Sequence, residues 1–236
     1  MGLSTISLFS GICGIELAGK KFGARTVCYV ERDPYAQGVI MSRIRSGELD
    51  DAPIWDDVTT FDGKPWKGKV DVITGGFPCQ DLSVAGKRAG IYGSRSGLWF
   101  EYARIIGEVR PRYVIVENVP GLVSSGGIGA VLGSLAKAGY DAEWFNQFAY
   151  EIGAKMQRER EFIVAFSNKE WRDGFNGIQK IQEDVRRDRP QVVRDLLGVD
   201  VRIPFRMDRI GCVGNSVLPR QAEKAWAKIF EIESNQ

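Results

Sequence analysis

The chain has 236 residues, of which 44% are hydrophobic and 26% charged, with a formal net charge of +2, and this composition predicts one or two globular domains with a buried core. No apolar run approaches the roughly 20 residues that cross a bilayer, and no secretory leader is recognisable, so we expect a cytoplasmic protein. The absence of histidine excludes Ser-His and Cys-His catalysis, and four scattered cysteines argue against a disulfide framework or a zinc site.

The chain opens with a strand, a glycine-containing turn, a helix and a second strand. Residues 5–9 and 25–30 are predicted strands, and residues 15–22 a helix between them. Such a turn lets a ligand approach the backbone, but it lacks the spacing of a dinucleotide motif and of a P-loop. Glu31 follows Gly11 by twenty residues, the separation at which a carboxylate binds two ribose hydroxyls. Together these features predict an adenosine-type cofactor without phosphates, with a solvated charge at a strand end as the alternative for the carboxylate.

A cysteine follows the next predicted strand on a stiffened turn. After a helix predicted over residues 34–44, residues 70–74 have the β-branched character of a strand covered on both faces. Two glycines and Pro78 then fix the exit of the chain, so Cys79 is predicted at the carboxyl end of the strand. This is where open α/β sheets carry their chemistry. A buried structural cysteine is the alternative interpretation.

The segment from residue 82 to residue 100 is basic, with no acidic side chain. A cationic loop beside a thiol could close over a polyanion, and an ordinary solvated surface loop is the alternative. Residues 98–109 show the spacing of an amphipathic helix, and residues 113–116 read as another buried strand. This strand delivers Glu117 to the same edge as Cys79, so a carboxylate and a thiol are expected to converge there.

The following segment is predicted to contain a helix over residues 127–139 and strands over residues 144–150 and 161–166, the second of them antiparallel. Arg158 and Arg160 lie between the two strands. Arginines at this spacing in an extended segment point to one side, which suits anion binding, although a surface ion-pair cluster is the alternative.

Periodicity fades between residues 168 and 208, where arginines are interleaved with acids. We expect a small inserted lobe in this interval. After it, the chain ends in a turn and an amphipathic helix. The apolar face of that helix is formed by Ala222, Ala225, Trp226, Ile229 and Phe230.

These motifs resemble those of the C5-cytosine-specific DNA methyltransferases of bacterial and phage type, over nearly the whole chain and in the family's order. Residues 9–14 resemble the family's cofactor turn, and residues 76–80 match its catalytic Pro-Cys loop. Residues 117–119 match its second catalytic motif, residues 158–160 its Arg-x-Arg motif, and residues 214–217 its final motif.

The resemblance implies an α/β fold with a Rossmann-like, S-adenosylmethionine-dependent methyltransferase sheet, mostly parallel with a late antiparallel strand. We expect a catalytic and cofactor-binding domain over residues 1–167, a target-recognition lobe over residues 168–208, and a segment over residues 209–236 that returns to complete the first domain. The lobe is short, which predicts recognition of a brief or loosely defined sequence.

The resemblance also implies an activity. The chain would transfer a methyl group from S-adenosylmethionine to C5 of a flipped cytosine in double-stranded DNA through a covalent adduct with Cys79, releasing S-adenosylhomocysteine. It would act as a monomer on bacterial or phage DNA, in the manner of restriction-modification enzymes, without a metal or a membrane. A tRNA cytosine-5 methyltransferase and a catalytically silent DNA-binding relative are the two alternatives.

The site residues that follow form three groups. The catalytic residues implied are Cys79, Glu117, Arg158 and Arg160. The cofactor-binding residues implied are Phe9, Ser10, Gly11, Cys13, Gly14, Glu31, Arg32, Asp57, Val58, Gly76, Pro78, Leu98, Asn215 and Ser216. The DNA-binding residues expected are Ser83, Lys87, Arg88, Arg95, Arg186, Arg187, Arg189, Arg194, Arg202 and Arg206.

Three positions depart from the family's pattern. Cys13 stands where the family usually has glycine, so we expect the backbone to approach the methionine moiety less closely. Arg32 stands where a hydrophobic side chain often stacks on adenine, so we expect the guanidinium plane to supply that contact. Lys155 and Met156 replace the usual proline and glutamine before the paired arginines, which leaves the role of Gln157 open.

Overall fold

The computed structural model describes residues 2–78, 97–167 and 216–234. The strands in these ranges are β1 (Ser4–Leu8), β2 (Arg25–Val30), β3 (Ile54–Trp55), β4 (Val72–Gly75), β5 (Tyr113–Asn118), β6 (Tyr140–Phe148) and β7 (Glu159–Ser167). The helices are α1 (Gly14–Lys21), α2 (Pro34–Arg45), α3 (Leu98–Val109), α4 (Gly121–Ser124), α5 (Gly127–Lys137) and α6 (Pro219–Ser234). None of the described helices is long and apolar enough to cross a membrane.

The strands form one seven-stranded sheet in the order β3-β2-β1-β4-β5-β7-β6. Strands β1 to β5 pair in parallel, and β7 runs antiparallel to both of its neighbours, β5 and β6. The predicted mostly parallel, Rossmann-like sheet with a late antiparallel strand is therefore confirmed. Because β1, β4 and β5 are adjacent and parallel, their carboxyl ends open onto one edge of the sheet.

Apolar side chains cover both faces of the sheet. One face packs against α3, whose Trp99, Tyr102 and Ile105 are fully buried, as the helical spacing predicted. The other face packs against α6, through Trp226 and Ile229 among others. Burial on both sides explains why the central strands are runs of β-branched residues without alternation.

The terminal helix α6 fits against α1 through a close contact. A Cβ atom on Gly19 would lie 2.6 Å from the ring of Trp226, so glycine is required for this approach. The Trp226 indole N–H also donates to the Ile15 carbonyl at 2.9 Å. A similar contact occurs one turn earlier, where a Cβ atom on Gly14 would lie 2.2 Å from the Val217 carbonyl oxygen. These contacts bring the segment that precedes α6 beside the first turn of the chain.

Strand β6 shows the largest shift of its first residue from the prediction. Strand β6 begins at Tyr140, directly after Gly139 in the left-handed region (φ 88°), and ends at Phe148. The predicted 144–150 strand was therefore misplaced, because residues 149–152 form a 3₁₀ turn that Gly153 ends with φ 85°. The elements β3 and α4 were not predicted, since two and four residues carry no measurable periodicity. The lobe predicted over residues 168–208 lies outside the described residues, so the domain division stays a prediction.

Candidate active site

The turn between β1 and α1 holds three residues in the left-handed region: Phe9 (φ 50°), Gly11 (φ 52°) and Cys13 (φ 63°). This conformation costs a residue with a side chain about 1–2 kcal/mol, and such strain clusters at functional sites. Hydrogen bonds hold the turn in place. The Ser10 hydroxyl donates to the Ser7 carbonyl at 3.0 Å, and the Val30 amide donates to the Ser10 hydroxyl at 3.2 Å. The side chain of this serine therefore ties the turn to β1 and β2.

The Glu31 carboxylate has a fixed orientation at the end of β2. One oxygen accepts from the Gly11 amide at 2.7 Å and the other from the Asp33 amide at 2.8 Å. Each oxygen retains a free lone pair for a further donor. Two neighbouring hydroxyl groups are the kind of ligand that this arrangement fits.

The Cys13 side chain points away from the ligand side of the turn. It is fully buried in a cluster with Tyr29, Ile40 and Leu49. Burial raises the pKa of its thiol well above the usual range. The side chain therefore packs as an apolar group beneath the turn, and it does not line the cleft described below.

Four predicted cofactor-binding residues come from other parts of the chain than the turn: Arg32, Asp57, Val58 and Leu98. Asp57 accepts hydrogen bonds from the amide (2.9 Å) and hydroxyl (2.8 Å) of Thr59, and these bonds, with a smaller contribution from Arg32, lower the pKa of its carboxyl. Val58 is buried in the core, and Leu98 is half-buried at the start of α3. None of the four lines the cleft between β1 and β4.

The ends of β4 and β5 bring a glycine against a carboxylate. In the parallel register Gly75 pairs with Val116, so Gly76 lies beside Glu117. A Cβ atom on Gly76 would lie 2.3 Å from Glu117 Oε2. The Asn118 side-chain amide donates to the Phe77 carbonyl at 3.2 Å, which fixes the chain leaving β4 to the end of β5. Pro78, the next residue, ends this described range, and Cys79 lies outside it.

Glu117 is a buried carboxyl group that forms an ion pair with Arg160. Its Oε1 lies 2.7 Å from Arg160 Nε, although the N–H is not aligned with the oxygen, so the contact is an ion pair without a directed hydrogen bond. Burial raises the pKa of Glu117 to about 7, while the charges of Arg160 and Arg158 act to lower it. The charges of both arginines therefore act on one carboxyl group, and their predicted same-side placement stays a prediction. Glu117 therefore supplies the cleft with a carboxyl group whose pKa is near neutrality.

Arg158 connects the catalytic edge with the segment before α6. Its guanidinium donates to the Ser216 carbonyl, and burial together with Arg160 lowers its pKa to about 10. Gln221 reinforces the connection, since its fully buried side-chain amide donates to the carbonyls of Gln147 (2.9 Å) and Arg158 (3.0 Å). The β6–β7 hairpin and α6 are thereby held as one unit around the arginines.

A cleft opens between the β1–α1 turn, the ends of β4 and β5, and the segment before α6. Its walls are formed by Ser7, Leu8, Phe9, Ser10, Gly11, Ile12, Gly14, Ile15, Glu16, Gly75, Gly76, Glu117, Ser216 and Val217. Seven predicted site residues thus come together around one space. The described residues contain no group of three or more Cys, Asp and Glu side chains that could hold a metal ion.

Several predicted site residues lie outside the described ranges. They are Cys79, Asn215, Ser83, Lys87, Arg88, Arg95, Arg186, Arg187, Arg189, Arg194, Arg202 and Arg206. Their roles stay predictions.

The family model for C-5 cytosine-specific DNA methylase matches residues 3–203 of the chain. The chain belongs to this family. Over 165 residues it is 34% identical to the type II methyltransferase M.CviJI of Paramecium bursaria Chlorella virus IL3A, a match that covers 70% of this chain and 43% of that protein. Over 170 residues it is 33% identical to the type II methyltransferase M.HhaI of Haemophilus parahaemolyticus, with 71% and 50% covered. The chain thus spans about half the length of the curated relatives it matches.

A solved structure shares the fold of this C-5 cytosine methylase domain. The Dnmt2 methyltransferase of S. pombe aligns with a TM-score of 0.57 and 23% sequence identity, over 70% of this chain and 51% of its own. At this identity the likeness concerns the fold alone.

Sequence motifs of the C-5 cytosine methylase family did not single out every residue of the cleft. Ser7 and Glu16 were missed, although both are buried and Glu16 accepts a hydrogen bond from the buried Thr74 hydroxyl at 2.8 Å. The one available signal was an acidic residue within an otherwise apolar first turn of α1. In sequence alone that feature is indistinguishable from an exposed acid that complements the helix dipole.

Proposed function

We propose that this chain methylates C5 of cytosine in double-stranded DNA, with S-adenosylmethionine as the methyl donor. The observation that carries the proposal is the contact between Gly76, at the end of β4, and the buried Glu117, at the end of β5. Phe77 and the Pro-Cys motif follow Gly76 in the sequence, so the thiol of Cys79 is only three residues along the chain from the glycine beside the carboxyl group. Membership of the C-5 cytosine methylase family supports DNA as the substrate.

The β1–α1 turn and the end of β2 support the choice of cofactor. Glu31, whose oxygens are oriented by two backbone amides, would hold the ribose hydroxyls, and the β1–α1 turn with Ser216 would hold the methionine end. Arg32 and Asp57 would contact the adenine. When bound, S-adenosylmethionine supplies an electrophilic methyl group.

The cytosine ring is too electron-poor at C5 to accept a methyl group directly. In the proposed mechanism the Cys79 thiolate adds to C6, forming an S–C6 bond, while protonated Glu117 holds its proton at N3 and prevents charge from accumulating on the ring. C5 thereby gains enamine character. After methylation, C5 loses its proton to water, the S–C6 bond breaks, and the aromatic ring and the thiolate are restored.

The two arginines support both groups. The ion pair between Arg160 and Glu117 (2.7 Å) holds the carboxyl in place, and the same positive charge favours the thiolate form of a cysteine nearby. Arg158 anchors the pair to the segment before α6. These are positioning and electrostatic roles, which fit the burial of Arg160 and the partial burial of Arg158.

The target base must leave the duplex to reach this cleft, because C6 is hidden in stacked DNA. We propose that the basic segment over residues 82–100 closes behind the flipped base. We assign sequence recognition to the arginines between residues 168 and 208. Arginine binds guanine bidentately, so loss of a base contact relaxes specificity, while loss of a phosphate contact weakens all binding.

Transfer of radiolabelled methyl groups tests the proposal. Duplex DNA should be labelled in the presence of wild-type protein, bisulfite sequencing should place the label at cytosine, and tRNA should stay unlabelled. Cys79→Ser should abolish transfer and retain cofactor binding. Labelling of tRNA alone would support the tRNA enzyme instead, and cofactor binding without transfer to either substrate would support a silent relative.

A further inference from the structure

A second buried carboxyl group, that of Glu16, lines the same cleft as Glu117. Glu16 is the third residue of α1, and its side chain reaches β4, where it accepts a hydrogen bond from the Thr74 hydroxyl at 2.8 Å. It is 5% exposed, and Thr74 and Ser7, on the strands beneath it, are fully buried. A carboxyl group this deep in a domain needs compensation for its lost hydration.

The two carboxyl groups of the cleft are compensated differently. Glu117 is flanked by Arg160 and Arg158. For Glu16, burial raises the pKa and hydrogen bonds from Thr74 and Ser7 act to lower it, with no lysine or arginine of the described residues among the causes. Within the part of the chain that the structure describes, Glu16 is therefore a carboxyl group of the cleft that has hydroxyl partners and no ion pair.

The place of Glu16 indicates which part of a ligand it faces. Thr74, its hydrogen-bond partner, precedes Gly75 and Gly76, and Gly76 contacts the Glu117 carboxylate. Glu16 thus belongs to the wall at the end of β4, which leads to the catalytic edge. Under the proposed function, the transferable methyl group must be presented at this edge, and in S-adenosylmethionine that group is attached to a positively charged sulfonium.

We propose that Glu16 recognises the sulfonium charge of S-adenosylmethionine and so makes the cleft prefer the methyl donor over its neutral thioether product. The inference rests on the proposed function. S-adenosylmethionine and S-adenosylhomocysteine share the adenosine, the ammonium and the carboxylate, so the charge at sulfur is the feature with which a carboxylate can separate them. A preference of this kind favours release of the product after transfer.

Isothermal titration of three ligands tests the inference without any catalytic readout. The ligands are S-adenosylmethionine, S-adenosylhomocysteine, and sinefungin, which carries an amine in place of the sulfonium. Glu16→Gln keeps the size of the side chain and an acceptor for Thr74 but removes the charge. We expect it to weaken binding of the two cationic ligands about tenfold or more, the scale of a charge pair in a partly desolvated site, and binding of S-adenosylhomocysteine less than about threefold.

Two further variants keep the test decisive. Glu223→Gln is the matched control, because it removes the same charge from α6 outside the cleft, where Glu223 pairs with Lys21; it should leave all three affinities unchanged. Glu16→Asp retains the charge on a shorter side chain, and it should keep part of the preference even where the glutamine variant fails to fold.

The outcomes separate this inference from the function on which it rests. The sulfonium role would be overturned if binding of all three ligands weakened equally. It would also be overturned if the ratios of the three affinities stayed unchanged in both Glu16 variants. Either result would leave Glu16 a structural or ammonium-binding role. If wild-type protein bound none of the three ligands, the proposed function itself would fail.

Discussion

At the scale of single residues, Glu117 has the property that the proposed chemistry requires. A carboxyl group with its ordinary pKa would be ionised at neutral pH and could not hold a proton at N3 of the base. Burial raises the pKa of Glu117 to about 7, so a large fraction keeps its proton at neutrality. The opposing charges of Arg158 and Arg160 prevent a larger rise.

Replacement of Glu117 by Gln should slow single-turnover methyl transfer, because it should raise the activation free energy by about 2 kcal/mol or more, the scale for one preorganised group. DNA affinity should change little. The wild-type kcat/KM should decline as pH rises through about 7, because the proton on Glu117 is then lost. The variant should lack this decline. A single-turnover rate equal to wild type would remove Glu117 from the mechanism.

Glu161 allows a prediction about stability. It lies on β7 with 2% exposure, burial raises its pKa to about 7, and one of its oxygens has no hydrogen-bond partner among the described residues. The folded state therefore binds more protons than the unfolded state between about pH 4.5 and 7, so this group's contribution to the free energy of unfolding falls as pH rises through that window. The free energy of unfolding of Glu161→Gln, measured relative to wild type, should therefore increase when the pH is raised from 5 to 8. Urea denaturation at both values measures this, and an identical difference at the two would contradict it.

At the scale of elements, the site depends on the parallel pairing of β4 and β5. The pairing places Gly76 against Glu117 so closely that no side chain fits. The atom in the way is the end of a side chain, so a larger residue would displace the carboxylate and leave the strands in place.

Gly76→Ala should therefore reduce methyl transfer strongly while the melting temperature changes little. Gly38→Ala in α2 is the matched control, since a Cβ atom there meets nothing within 4 Å. That control should keep its activity and gain roughly 0.5–1 kcal/mol of stability from the helix propensity of alanine. Thermal unfolding and methyl-transfer assays measure both effects. Full activity in the Gly76 variant would show that the carboxylate position is not critical.

The sequence predicted most elements because their patterns are local. The amphipathic spacing of α3 and the β-branched runs of β2 and β5 each identify one element without reference to the rest of the chain. The position of β6 could not be predicted in the same way. Its residues are mostly half-buried and mixed in character, and its ends depend on Gly139 and on the turn closed by Gly153.

At the scale of the whole molecule, motifs far apart in the chain form one cleft. The sequence order of the motifs predicted this for Gly11, Gly76, Glu117 and Ser216, and the structure brings these residues together. The role of α6 in bringing Ser216 to the cleft depends on contacts such as that of Trp226 with Gly19, which no local pattern contains. The buried pair of Glu16 and Thr74 was missed for the same reason, since 58 residues separate its members.

We propose that a Cys79 thiolate attacks C6 of a flipped cytosine, and covalent trapping tests this step most directly. A duplex that carries 5-fluorocytosine at the target site cannot release the adduct, because fluorine does not leave C5 as the proton does. Wild-type protein with S-adenosylmethionine should form a denaturation-resistant protein–DNA complex, and mass spectrometry should locate the modified base on Cys79. Cys79→Ser should form none. A complex that forms equally with the serine variant, or one that maps to another residue, would contradict the account.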